Sequence, residues 1–146
     1  MSKRVDVLAA VKALIQDALP GATVKGMSAE EAKPETVGPL GMVIVRSGDP
    51  GQPEVDLSPP TYWWEHNIPV EVAAYQSSWQ TSQQVLDDML TAIGAALIAD
   101  RTLGGLCLWL DAEAPTDGET EIRGAAAIGW ADFAIVATYS TNSPLG

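Results

Sequence analysis

The chain has 146 residues, 47% of them apolar and 18% charged, with 19 acids against 8 bases and a formal charge of −11. That length fits one domain, whose folding should bury about 68% of the extended-chain surface, and the composition is globular rather than disordered. A single cysteine and a single histidine exclude a disulfide framework and the common Cys- and His-rich zinc sites within one chain; the acidic balance argues against a wrapper of nucleic acid, which relies on Lys and Arg.

Val7, Leu8, Val11, Leu14, Ile15 and Ala18 recur at helical spacing and predict an amphipathic helix over residues 3–19. Ser2 is placed to cap it, and Pro20-Gly21 stops it. Asp6, Lys12 and Asp17 interrupt the apolar run a leader would need. No segment reaches the ~18 apolar residues of a membrane helix. The expectation is a protein that is cytoplasmic at synthesis, with Cys107 reduced.

Residues 26–41 are polar and broken by Pro34 and Pro39, and read as a solvated loop containing Glu30, Glu31, Lys33 and Glu35. Residues 42–46 read as a short buried strand, 47–53 as a turn, and 54–57 as a returning strand that closes a hairpin, broken by residues 58–60. Residues 61–75 carry the clearest strand pattern. Tyr62, Trp64, His66, Ile68, Val70, Val72 and Ala74 fall on one face, and Trp63, Glu65, Asn67, Pro69, Glu71, Ala73 and Tyr75 on the other. Pro69 cannot donate to a ladder, so an edge or bulge is expected there.

A second helix is predicted over residues 81–100, where Val85, Leu86, Met89, Leu90, Ile93, Leu97 and Ile98 share a face. Thr81 or Ser82 caps it, and Gly104-Gly105 follows it. Residues 106–110 read as another strand, residues 111–121 as an acidic loop, residues 125–140 as a last long strand, and 141–146 as an irregular tail. The expected order is α-β-β-β-α-β-β in a single domain over residues 1–146. Strands in runs with two separate helices predict an α+β fold: a largely antiparallel mixed sheet with both helices packed on one face.

Candidate chemistry is sparse. His66 shares a strand face with Trp64 and Ile68, while Glu65 and Glu71 point to the other face and cannot readily orient it as a base. A structural role is expected. Cys107, between Leu106 and Leu108, has no local base or helix N-terminus to activate it. Asp111, Glu113, Asp117, Glu119 and Glu121 do not follow the calcium-loop spacing, since Pro115 stands at the fifth position. Neither phosphate-binding glycine pattern nor a nucleophile elbow is present. A non-enzymatic protein is expected, with no catalytic residue, cofactor or metal site assigned. Trp63 and Trp64 are adjacent on one strand, so one of them must leave the main core, either as an interface aromatic or into a second small cluster covered by the proline-rich loop.

The stretch Leu57-Ser58-Pro59-Pro60-Thr61-Tyr62-Trp63-Trp64-Glu65-His66 resembles a segment of small tail proteins of tailed bacteriophages and related gene-transfer particles. So do Val43-Ile44-Val45-Arg46-Ser47-Gly48-Asp49-Pro50-Gly51, the turn Asp100-Arg101-Thr102-Leu103-Gly104-Gly105, and the closing Tyr139-Ser140-Thr141-Asn142-Ser143-Pro144-Leu145. The resemblance covers nearly the whole chain and implies a tail terminator or tail-completion protein. Such a protein forms a hexameric ring at the head-proximal end of the tail tube, stops tube polymerisation and meets the head-side connector or stopper. The implied location is the virion neck, with the host cytoplasm during assembly. DNA would pass through the lumen without specific binding, and no membrane is involved. The expected subunit or tube contacts are Arg46, Asp49, Trp63, Trp64, Glu65, Asn142, Pro144 and Leu145, with Arg46 seeking a carboxylate. The expected lumen-facing acids are Glu30, Glu31, Asp111, Glu113, Asp117, Glu119 and Glu121. Another head-tail neck component and a small dimeric ligand-binding module are the alternatives.

Overall fold

The structure, a computed structural model, describes residues 2–26, 41–76, 80–123 and 126–146, with the backbone alone for 117–123, 126 and 127. Helix α1 spans Lys3–Ala18, and the Ser2 hydroxyl accepts the Val5 N–H at its start. Val7, Leu8, Val11 and Ile15 are buried, so the expected stripe faces inward. Strand β1, Thr23–Gly26, follows almost at once and runs parallel to β2, Met42–Val45, whose four residues are all buried. Strand β3, Glu54–Leu57, leads through Ser58 and Pro59 into β4, Pro60–Tyr75. Helix α2, Ser82–Ala99, opens with a reciprocal capping box: Thr81 Oγ1 accepts the Gln84 N–H, and Gln84 Oε1 accepts the Thr81 N–H. A short 3₁₀ turn, Leu103–Gly105, precedes β5, Trp109–Ala112, then β6, Thr116–Arg123, and β7, Ala126–Thr141.

The fold is α+β, with one seven-stranded sheet in the order β1-β2-β4-β7-β5. Strand β3 lies on β4 along the same edge as β2, and β6 lies on β7 along the same edge as β5. Every pairing but β1–β2 is antiparallel. The spine is the β4–β7 pair, in unbroken register from Tyr62↔Thr141 to Tyr75↔Ile128. Both helices pack on one face, where Ile68, Val70, Val72, Ile135 and Leu110 are fully buried against Val7, Val11, Ile15 and Ile93. Each such aliphatic side chain contributes about 1.5–3 kcal/mol through burial. On the opposite face, Met42, Ile44, Ala73, Ile128 and Trp130 form a smaller buried cluster near the Tyr75 end.

The order contains two strands more than the sequence pattern gives. Strand β1 has one buried apolar residue, Val24, too few to register as a period. Strand β6 occupies most of what reads as an acidic loop: residues 111–121 contain the end of β5, a three-residue turn and the first part of β6. Its ladder to β7 supplies the hydrogen bonds that its composition does not advertise. The expected hairpin between residues 42–46 and 54–57 does not form. Strand β3 instead pairs with β4, Glu54↔Trp63 to Leu57↔Pro60, because a two-residue turn brings those residues together first. Residues 106–108 are not strand. They close the 3₁₀ turn, with the Cys107 N–H on Thr102 O, so β5 begins only at Trp109.

Pro69 is neither in an edge strand nor at a register shift; it lies in central β4 opposite Ala134. Its carbonyl accepts the Arg46 N–H at 2.8 Å, so its nitrogen faces the flank that β2 leaves after Val45. The absent N–H therefore falls just past the end of the β2 ladder, where its loss is tolerated. The expected loop at residues 26–41 lies outside the described residues except at its two ends.

A candidate assembly surface at one end of the sheet

Of the expected contact residues, Trp63, Trp64, Glu65, Asn142, Pro144 and Leu145 gather at the end of the sheet where β4 begins and β7 finishes, divided between its faces, whereas Arg46 and Asp49 lie farther along β4, beside Glu71 and Asn67. Trp64 turns toward the helices and is buried. Its Nε1–H donates to Thr141 Oγ1 at 2.9 Å, and that hydroxyl donates to the Ser143 carbonyl at 2.7 Å. Trp64 is thus a core residue that anchors the tail, not a contact aromatic. Trp63 takes the opposite face, is half-buried, and donates its Nε1–H to Asp56 Oδ2 at 2.9 Å. Glu65 is exposed on the face of Trp63, across from Thr138, and Thr138 has Trp109 of β5 on its other side. Trp109, half-exposed, is an aromatic of this face that the sequence pattern does not single out, because residues 106–110 read simply as another strand.

Arg101 covers Trp109 and the edge of β5. Its guanidinium carbon lies 4.5 Å from the ring centroid, Nη1 donates to the Leu110 carbonyl at 2.9 Å, and Asp111 lies 3.6 Å away. The odd residues of β5 face β7, as the Glu113 N–H on Ala134 O marks, so the Leu110 carbonyl belongs to the free edge. Asp111 Oδ1 accepts the Ala112 N–H at 2.9 Å on that same edge. Two groups that would invite a foreign strand are therefore already occupied.

Arg46 finds its carboxylate within the chain. Its Nη2 and Nε both donate to Glu71 Oε2, at 2.7 and 3.0 Å. Asp49 shapes its own turn: Oδ1 accepts the Gly51 N–H at 2.8 Å, and the backbone bridges to Asn67. Asn142, Pro144 and Leu145 are exposed on the tail beside Trp64. Of the expected lumen-facing acids, Asp111 is exposed but engaged with Arg101, and Glu113 is exposed in the turn before β6. Asp117, Glu119 and Glu121 lie on β6, where the backbone alone is described, and Glu30 and Glu31 lie outside the described residues.

His66 is fully buried on the helix-side face. Nε2–H donates to the Ser47 carbonyl at 2.7 Å, which fixes the tautomer, so Nδ1 accepts from the Tyr139 hydroxyl at 3.1 Å. Gly48, at φ +67°, lets the Ser47 turn come so close that a Cβ would collide with the Asn67 carbonyl. Burial lowers the His66 pKa, and the charge of Arg4 adds to that, against the Ser47 bond and Asp49, which raise it. Burial likewise raises the Tyr139 pKa, and burial with the nearby charge of Asp100 raises that of Cys107, which keeps the thiol protonated. His66 thus links β4, β7 and the Ser47 turn. Among the described residues no group of three or more His, Cys, Asp or Glu side chains is arranged to hold a metal ion.

No protein-family model matches the chain, and no curated protein matches it either.

Proposed function

We propose that the chain is a ring-forming structural protein of a phage-like tail, a terminator that ends tube growth and meets the head-side connector. The observation that carries this reading is the uncovered end of the sheet. There Trp63 and Trp109 stand among Glu54, Glu65 and Asp111 on a face that no described helix covers. Aromatics within a polar rim are the composition of a protein contact. The resemblance of four segments to small tail proteins gives that contact its setting. An acidic chain suits a DNA passage, because carboxylates repel phosphates and let the genome move without sticking.

The test is the light-scattering mass of the purified protein, alone and with tail-tube subunits. Six-chain rings, in solution or on tube ends, support the reading, as do overlong tails in particles assembled without the protein. A chain that stays a monomer, ignores tubes and leaves tail length unchanged refutes it.

A further inference from the structure

Strand β3 has one free edge. Among the described residues it pairs with β4 alone, and its four residues are all exposed. The odd residues of β4 face β3, as the Asn67 N–H on Asp49 O and the Arg46 N–H on Pro69 O mark on that side. Trp63 and Thr61 therefore exchange backbone hydrogen bonds with Glu54 and Asp56, which lie opposite them. The N–H and C=O groups of Val55 and Leu57 then point away from the sheet, two donors and two acceptors in a row. Pro53 and Pro59 bracket this edge, so it has room for about four residues of another strand. Arg101 and Asp111 close the corresponding groups on β5, and β3 has no such cover among the described residues.

The side chains of β3 sort by the pleat. Val55 lies opposite Tyr62 on the helix-side face with Leu57 beside it, 46% and 82% exposed. Glu54 lies opposite Trp63 on the other face with Asp56 beside it. Asp56 Oδ2 accepts the Trp63 Nε1–H, a neutral donor that leaves the carboxylate its charge. Neither acid has an ion pair among the described residues.

We propose that β3 is a docking edge for an extended segment of another protein in which apolar and basic residues alternate. Its apolar side chains cover Val55 and Leu57, and its basic ones face Glu54 and Asp56. The backbone bonds supply affinity and the two faces supply selectivity. Charge decides against a second copy of β3. A two-fold pairing of the strand with itself keeps all the acids on one face. Centred on Val55 it sets Glu54 against Asp56 of the other copy, and centred on Asp56 it sets Asp56 against itself. Like charges directly opposite destabilise an antiparallel pair, and opposite charges stabilise it. The two acids thus turn away an identical strand and admit a basic one. The edge is a property of the single chain, so the proposal stands apart from the ring reading above.

The probe is an octapeptide alternating valine and lysine, titrated calorimetrically into the whole chain. Four control peptides carry the same residues in two blocks, glutamate for lysine, N-methylated valines, or N-methylated lysines. A residue directly opposite Val55 shares its face and bonds to its backbone, so the valine amides are the ones that dock. The alternating peptide and its lysine-methylated form should bind saturably, and the other three should not. Binding should slow hydrogen exchange at the Val55 and Leu57 amides and leave those of Glu54 and Asp56, already bonded to β4, nearly unchanged. Glu54→Lys and Leu57→Ser should each weaken binding about tenfold, through a reversed charge and a lost apolar contact. Both positions are exposed, and melting curves matching the wild type establish that both variants fold. No saturable binding, equal binding of the block peptide, equal harm from either methylation, or unchanged affinity in Glu54→Lys overturns the proposal. Slow exchange at Val55 and Leu57 that grows with protein concentration without peptide assigns the edge to a second copy and also overturns it.

Discussion

His66 gives the chain a stability that depends on pH with a sign fixed by its surroundings. The buried ring is neutral, donating from Nε2 to Ser47 O and accepting at Nδ1 from Tyr139. Its folded pKa lies below the usual value of about 6.5, chiefly through burial. Between the folded and unfolded values the unfolded chain binds the proton and the native chain does not, so stability falls as pH drops below about 6.5. The steepest slope is about 1.4 kcal/mol per pH unit. Replacing His66 by Phe removes both bonds and the titration together. At pH 8 the variant should be less stable by about 2–4 kcal/mol, the cost of leaving the Ser47 carbonyl and the Tyr139 hydroxyl without their partner. As pH falls below about 6.5 the difference from the wild type should shrink, at no more than about 1.4 kcal/mol per pH unit. Urea midpoints of both proteins from pH 8 to pH 5 measure this, and taking the difference removes the carboxylates they share. A gap that stays constant or widens as pH falls would refute the reasoning.

The adjacent tryptophans should behave differently. Trp64→Ala empties a core site and frees Thr141, so a loss of about 3–5 kcal/mol is expected, whereas Trp63→Ala should cost no more than about 1.5 kcal/mol, the value of its bond to Asp56; equal urea midpoints for the two variants would contradict the face assignment. Arg101→Ala should cost only about 0.5–1 kcal/mol in stability, yet it uncovers the Leu110 carbonyl and the face of Trp109. Turbidity on mild heating should therefore rise above that of the wild type, and unchanged turbidity would show that Arg101 does not guard the β5 edge.

The legible parts of the fold were those where one local pattern decided the outcome. The alternation in β4 told the buried residues from the exposed ones from Trp64 through Val70, since a half-buried strand needs nothing but its pleat to sort them. Ser2 and Thr81 marked the two helix starts because a cap acts through the next three residues alone. What escaped depends on partners far along the chain. Strand β6 is strand by virtue of β7, and its acids gave no sign of it. Residues 106–108 have strand composition but end a turn held by Thr102. Pro69 looked like an edge residue because sequence does not tell which flank of β4 loses its neighbour first.

The candidate surface was legible in the same proportion. The choice between Trp63 and Trp64 reduces to which parity faces the helices, and His66, Ile68 and Val70 settle that parity. Arg46 could be given a carboxylate in advance but not its address, because Glu71 becomes its neighbour only once β2 lies against β4. Trp109 and Arg101 were missed for a related reason: their pairing crosses a turn whose shape no periodicity encodes. That pairing also bears on assembly. An acidic chain with a capped β5 edge has little reason to associate through that strand. The apolar side chains exposed elsewhere among the described residues include Leu57 at the hairpin tip, Ile98 on α2, Leu108 before β5 and Leu145 on the tail, so burial of side chains rather than strand addition at β5 is the contact this surface favours.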